Sequence, residues 1–138
     1  MSRYKGEQTA YDPQKKKYVP LWKLDINTVT VTHFNAATQT EESKTYHTDF
    51  IRYHLYYSDG HCPDRLRRLV NEGIIIQYLD DMERKVGEAI SRQVKIWKQT
   101  DSCYHQAALS GDTEKTLSLE NCFVHMAREA VFECMVYI

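Results

Sequence analysis

Glycine and proline are scarce, five and three in 138 residues, which excludes collagen-like, linker-like and low-complexity chains. No run approaches the roughly 20 apolar residues of a membrane span. The first twenty positions are polar and lysine-rich, so an export leader is not expected. Charge of one sign is lacking too: the formal net charge is −1, which argues against a protein that coats nucleic acid by bulk charge. GxSxG, a phosphate-cradling glycine loop and HExxH are all missing, removing the signatures of three large enzyme classes. The four cysteines, Cys62, Cys103, Cys122 and Cys134, read as reduced thiols of a cytoplasmic protein, three of them as small core or boundary fillers.

The chain is long enough to bury one core and short for two, and 42% hydrophobic with 27% charged residues suits a folded domain. The near-zero net charge hides a gradient. Residues 1–23 carry six Lys or Arg against two Asp or Glu, whereas residues 99–138 carry two against six. Residues 1–18 read as a flexible basic arm ahead of a single domain, 19–138, in which 19–46 is β-like and 47–138 a helical core. Val29 and Val31 alternate with Thr28, Thr30 and Thr32, a period-2 strand signal, and 36–44 suits a loop or the far side of a hairpin. Thr48 or Asp49 caps a short helix over 50–57 that ends at Ser58-Asp59-Gly60, and Pro63 opens a second short helix before Gly73. Ile75, Leu79, Met82, Val86, Ala89, Gln93 and Trp97 form an apolar stripe along one long helix, about 74–98. Asp80 is placed on that helix's solvated face, with Arg84 as its partner. After a polar link through Gly111, Ser118 caps a last helix striped by Leu119, Phe123, Met126 with Ala127, Ala130 with Val131, Cys134 and Ile138. The expected fold is mainly α, within the α+β class: a helical bundle with long antiparallel helices and a short N-terminal β-strand or hairpin. No internal repeat or second-domain boundary stands out.

RLRRLVNEGIIIQYLDDMERKV (65–86) and FVHMAREAVFECMVYI (123–138) resemble the transposon-encoded TnpV-like protein family of mobile genetic elements. The matching positions are Leu66, Leu69, Gly73, Tyr78, Leu79 and Asp81, then Ala130, Val131, Val136 and Tyr137. The resemblance covers the C-terminal two thirds of the chain, with RYHLYY (52–57) where that family shows a basic segment. That family has no established catalytic site, and the resemblance implies a mobile-element accessory protein.

Candidate chemistry is sparse. Cys103-x-His105 and Cys122-x-x-His125 have zinc-ligand residue types at poor spacing, and His61 beside Cys62 lacks an oxyanion loop, so neither a cofactor nor an enzyme is expected. The helices at 50–57 and 63–72 can be drawn as a helix-turn-helix with Arg65, Arg67 and Arg68 on its second member. Tyr46, Tyr53, His54, Tyr56 and Tyr57 could stack bases or anchor a protein. The site read from these residues comprises Arg52, Tyr53, Tyr56, Tyr57, Arg65, Arg67 and Arg68, facing DNA, a protein partner or both, with no membrane. A homodimer through the helical stripes is a further partner arrangement. The competing function is an anti-CRISPR-like inhibitor of a host defence nuclease, using Asp112, Glu114, Glu120, Glu129 and Glu133 as a nucleic-acid mimic.

Overall fold

The structure, a computed structural model, describes residues 3–138. Among them lie six strands in two antiparallel sheets and five α-helices, followed by one π-helical turn. The expected bundle of long helices with a short hairpin is therefore wrong: a four-stranded sheet is a principal element. The fold divides into two compact units, one holding the described residues up to Glu83 with Tyr137–Ile138, the other Arg84–Val136.

In the first unit, β1 (Arg3–Lys5), β4 (Trp22–Asp25), β5 (Thr30–Asn35) and β6 (Thr40–Thr45) form a sheet in the order β1-β4-β5-β6, and β2 (Thr9–Asp12) pairs with β3 (Lys17–Pro20) as a separate hairpin. Residues 3–18, expected as a flexible arm, are thus largely strand. Lysines at a hairpin tip and along a sheet face give the same basic composition as a tail.

The hairpins β2–β3, β4–β5 and β5–β6 close with one repeated turn. Asp12 Oδ1 accepts from the amides of Gln14 (2.9 Å) and Lys15 (3.4 Å); Asp25 Oδ1 accepts from Asn27 (3.0 Å) and Thr28 (3.4 Å); Asn35 Oδ1 accepts from Ala37 (3.0 Å) and Thr38 (3.3 Å). Four residues after each capping side chain the backbone turns left-handed, at Lys16 (φ 56°), Val29 (φ 53°) and Gln39 (φ 56°). The side chain supplies the acceptor that a reversing backbone lacks. Val29 is unusual there, since β-branched residues avoid positive φ; its fully buried side chain holds the strained conformation.

Strand register divides the sheet into two faces. Tyr4, Leu24 and Val31 lie side by side across β1, β4 and β5, all buried. Trp22 and His33 share their face and stack at 4.1 Å. Helix α2 (Pro63–Asn71) lies against β1 and β4 and buries Leu66, Leu69 and Val70. Helix α1 (Asp49–His61) buries Phe50, Ile51 and Leu55, and its Asp59 accepts from the Tyr4 hydroxyl. It runs through the Ser58-Asp59-Gly60 turn expected to end it and on to His61, because Ser58 and Asp59 have tertiary partners, and stops before Pro63. Thr48 occupies its N-cap position, but its hydroxyl donates to Glu83 instead (2.9 Å).

Helix α3 (Ile75–Thr100) matches the expected long helix and continues through Gly87. Ile75 and Leu79 are fully buried. Asp80 does not pair with Arg84: it binds Lys44 (2.6 Å) and the buried Tyr46 hydroxyl (2.7 Å), while Arg84 pairs with Glu88 (3.5 Å). Burial opposes ionisation of Asp80, yet the Lys44 and Tyr46 hydrogen bonds outweigh it and lower its pKa. Burial first, then the bond to Asp80, push the Tyr46 phenol far above its ordinary value.

In the second unit the expected polar link is helix α4 (Ser102–Ser110), capped by Asp101, which accepts from the Tyr104 amide (2.8 Å), and ended by left-handed Gly111. Asp112 then caps α5 (Thr113–Val131), accepting from the Lys115 amide (3.1 Å), so this helix starts before Ser118. Trp97 and Tyr104 both meet the buried Phe123, at 5.8 and 6.0 Å. Along α5 Phe123 and Ala127 are buried while Met126 and Ala130 are exposed, and the π turn at Phe132–Val136 adds a residue to the repeat, so burial continues at Phe132 and Val136 and Cys134 is exposed. No described helix is long and apolar enough to cross a membrane.

Two outcomes follow. Gly73 has φ +72°, and an added Cβ would come within 2.6 Å of Trp22 Nε1; Gly73→Ala lowers stability by about 2 kcal/mol in denaturant titration. A raised phenol pKa stabilises the fold fully below its unfolded value of 10.0 and loses that contribution as pH rises towards the folded value. Melting temperature therefore falls above about pH 10, and Tyr46→Phe flattens part of that fall.

Candidate functional site

The seven residues singled out from sequence do not form one surface. Arg65 is structural: its Nη2 donates to Ser58 Oγ (2.7 Å) and to the Ile138 carbonyl (2.8 Å). Its Nε is buried without a hydrogen-bond partner among the described residues. Tyr57 stacks on His61 at 4.2 Å and meets Tyr137 at 5.8 Å. Arg52, Tyr53 and Tyr56 are exposed on α1, and Arg68 on α2. Arg67 pairs with Asp64 and lines a concavity of about 320 Å³ with Arg3, Tyr4, Lys5, Asp59 and Pro63. From the proposed aromatic cluster, Tyr46 and His54 are buried, and His54 Nε2 lies 2.7 Å from the Tyr78 hydroxyl.

That concavity shares Arg3, Tyr4 and Lys5 with a second groove of about 390 Å³, whose cations are Arg3, Lys5, Lys15, Lys17 and Lys23. The sheet explains the gathering. With Tyr4, Leu24 and Val31 facing the core, alternation turns Arg3, Lys5, Lys23, Asp25 and Thr32 to the opposite face. The β2–β3 hairpin adds Lys15, Lys17 and the highly exposed Tyr18.

Lys5 and Lys23 are directly opposed in the β1–β4 register. Like charges at that position destabilise a sheet, so the pair works against the fold. Three groove cations have partial counter-charges: Arg3 with Asp25 (3.4 Å), and Lys15 and Lys23 with Glu41 (3.4 and 3.2 Å). The Lys23 hydrogen bond leads in holding the Glu41 carboxyl below its usual range, against the effect of burial. Lys5 and Lys17 have no ion pair among the described residues. These are exposed bridges, each worth about 0 to 1 kcal/mol, and an incoming anion can replace them.

Compared with family models, curated proteins and solved structures, the chain matches none. The TnpV-like resemblance is neither supported nor refuted by those comparisons.

The other candidate chemistries do not assemble. Among the described residues no three His, Cys, Asp or Glu side chains come together as metal ligands, so Cys103, His105, Cys122 and His125 form no such group. Cys103, Cys122 and Cys134 are exposed rather than core fillers, and Cys62 is half-buried. Of the acidic residues suggested as a nucleic-acid mimic, Asp112 caps α5, Glu120 binds Lys98 (3.2 Å) and Tyr104 (2.9 Å), and Glu129 pairs with His125 (3.1 Å). The groove cations escaped the sequence reading because register alone brings positions 3, 5 and 23 together; the one available signal was the basic excess over 1–23.

The two neighbouring arginines separate by role. Arg65→Ala lowers stability by about 1 to 3 kcal/mol through the lost Ser58 and Ile138 bonds, whereas Arg67→Ala stays within about 0.5 kcal/mol. Equal losses in chemical denaturation would contradict this assignment.

Proposed function

We propose that the chain works by binding nucleic acid through the cationic face of its sheet, as a non-catalytic accessory protein of a mobile genetic element. One observation carries the binding part: Lys5 and Lys23 stand opposite one another across β1 and β4, lining a groove that also holds Arg3, Lys15 and Lys17. A fold gains nothing from that juxtaposition, whereas a phosphate between the two ammonium groups relieves their repulsion and accepts from both. The mobile-element part rests on the likeness of residues 65–86 and 123–138 to the TnpV-like family. A near-neutral chain can bind a polyanion in this way because the cations are concentrated on one face.

The affinity is electrostatic in origin and falls with salt. Engagement of about three to five phosphates gives a slope of log affinity against log salt between about −2 and −4.5. The expected result, read by fluorescence anisotropy over a mixed panel of duplex and single-stranded DNA, is binding at low salt that Lys5→Thr combined with Lys17→Gln weakens about tenfold or more. Lys5→Thr alone removes the opposed charge, so it raises thermal stability by about 0.2 to 1 kcal/mol while weakening binding. Absence of binding to every DNA form at low salt overturns the proposal.

A further inference from the structure

We infer that the strand held by this groove is unpaired, with a base stacked on Tyr18 while its neighbouring phosphates lie over Lys5, Lys17 and Lys23. The inference rests on the nucleic-acid reading above and adds the form of the ligand.

Tyr18 is 72% exposed and lines the groove. Its neighbour on β3, Val19, is buried at 3%, so strand alternation drives the tyrosine ring outward. Tyr11 lies opposite it in the β2–β3 register, and the rings meet edge to face at 5.4 Å and 64°. Each ring limits the other's rotation. A large aromatic face is thereby presented to solvent on the side of β3 away from Val19, on a hairpin whose turn carries Lys15 and Lys16 and whose strand β3 opens with Lys17. Aromatic faces flanked by cations are how proteins hold single strands without reading sequence.

Duplex DNA fits this arrangement poorly. Its bases are stacked on one another, leaving no face for Tyr18, and it presents two backbones where the groove offers one short cationic track. The groove's volume, about 390 Å³, lies near the lower end of the range of about 300 to 1,000 Å³ for sites that take one small molecule. That is the scale of one nucleotide unit. The opposed Lys5 and Lys23 suit a phosphate on one side of that unit, and Lys17 on the hairpin suits the next.

The test uses the full chain and three fluorescent probes at one low salt concentration: an oligothymidylate of about a dozen nucleotides, a duplex of equal length, and thymidine monophosphate. The oligothymidylate should bind more tightly than the duplex. Tyr18→Ala should weaken oligothymidylate binding about five- to 150-fold, the effect of losing one base–aromatic stack, and leave duplex binding unchanged. Tyr18→Phe should restore it. Circular dichroism melts of both variants should match the parent, since the ring is exposed. Equal affinity for duplex and single strand, with Tyr18→Ala affecting neither, overturns the unpaired-strand inference and leaves the charge-based reading standing. Monophosphate binding as tight as the oligomer overturns it in favour of a nucleotide pocket. An equal loss on all three probes makes Tyr18 a support of the groove rather than a stacking platform, and also overturns it. No binding by any probe removes both readings.

Discussion

The first unit depends on burying one side of the three strands β1, β4 and β5 of its sheet. Tyr4, Leu24 and Val31 make a continuous apolar row across three strands, and α2 lies against two of those strands. Burial of each such side chain contributes about 1.5 to 3 kcal/mol, enough to fix the register. A slip of one residue would turn Lys5 and Lys23 into the core and the apolar row into water. The same constraint therefore creates the cationic face: whatever alternates with the core row must be presented together on the other side.

Polar contacts then attach the helices to the sheet at chosen points. Tyr4 reaches Asp59 on α1, the Glu7 amide reaches Asn71 on α2 (3.0 Å), and Lys44 and Tyr46 converge on Asp80 of α3. Gly73 accommodates Trp22 where a side chain would not fit. Arg65, Ser58, His54 and Tyr78 form a polar chain at the α1–α2 turn. Arg65, Tyr46 and His54, which look available for binding in the sequence, are consumed here as structural ties, whereas Arg52, Tyr53, Tyr56 and Arg68 stay exposed. Within the groove, Lys5 and Lys17 lack an ion pair among the described residues, Lys23 shares Glu41 with Lys15, and the ring of Tyr18 is exposed.

The three Asx-capped turns show why a repeat was not visible along the chain. Their shared chemistry is one Asp or Asn oxygen and a left-handed residue four positions later. The remaining residues, Pro-Gln-Lys-Lys, Ile-Asn-Thr-Val and Ala-Ala-Thr-Gln, have little in common. Hairpin geometry tolerates that variety because backbone bonds do most of the work. The caps of α4 and α5 were equally local: Asp101, Gly111 and Asp112 are ordinary helix punctuation, obscured by the polar residues between them.

By itself the sequence determined the long helix α3, through a largely apolar stripe sustained from Ile75 to Trp97, the proline-initiated α2, and the strand-forming alternation around Val31. These are local signals, since residues three, four or two apart set the face that an element buries. Tertiary structure decided that the basic N-terminal stretch is strand, that α1 extends through Gly60, and that a π turn shifts the last helix's buried face to Phe132. It also decided the cationic groove. Positions 3, 5, 15, 17 and 23 meet only when β1 pairs with β4 across eighteen or more residues, and no periodicity along a chain encodes which distant strand will be its neighbour.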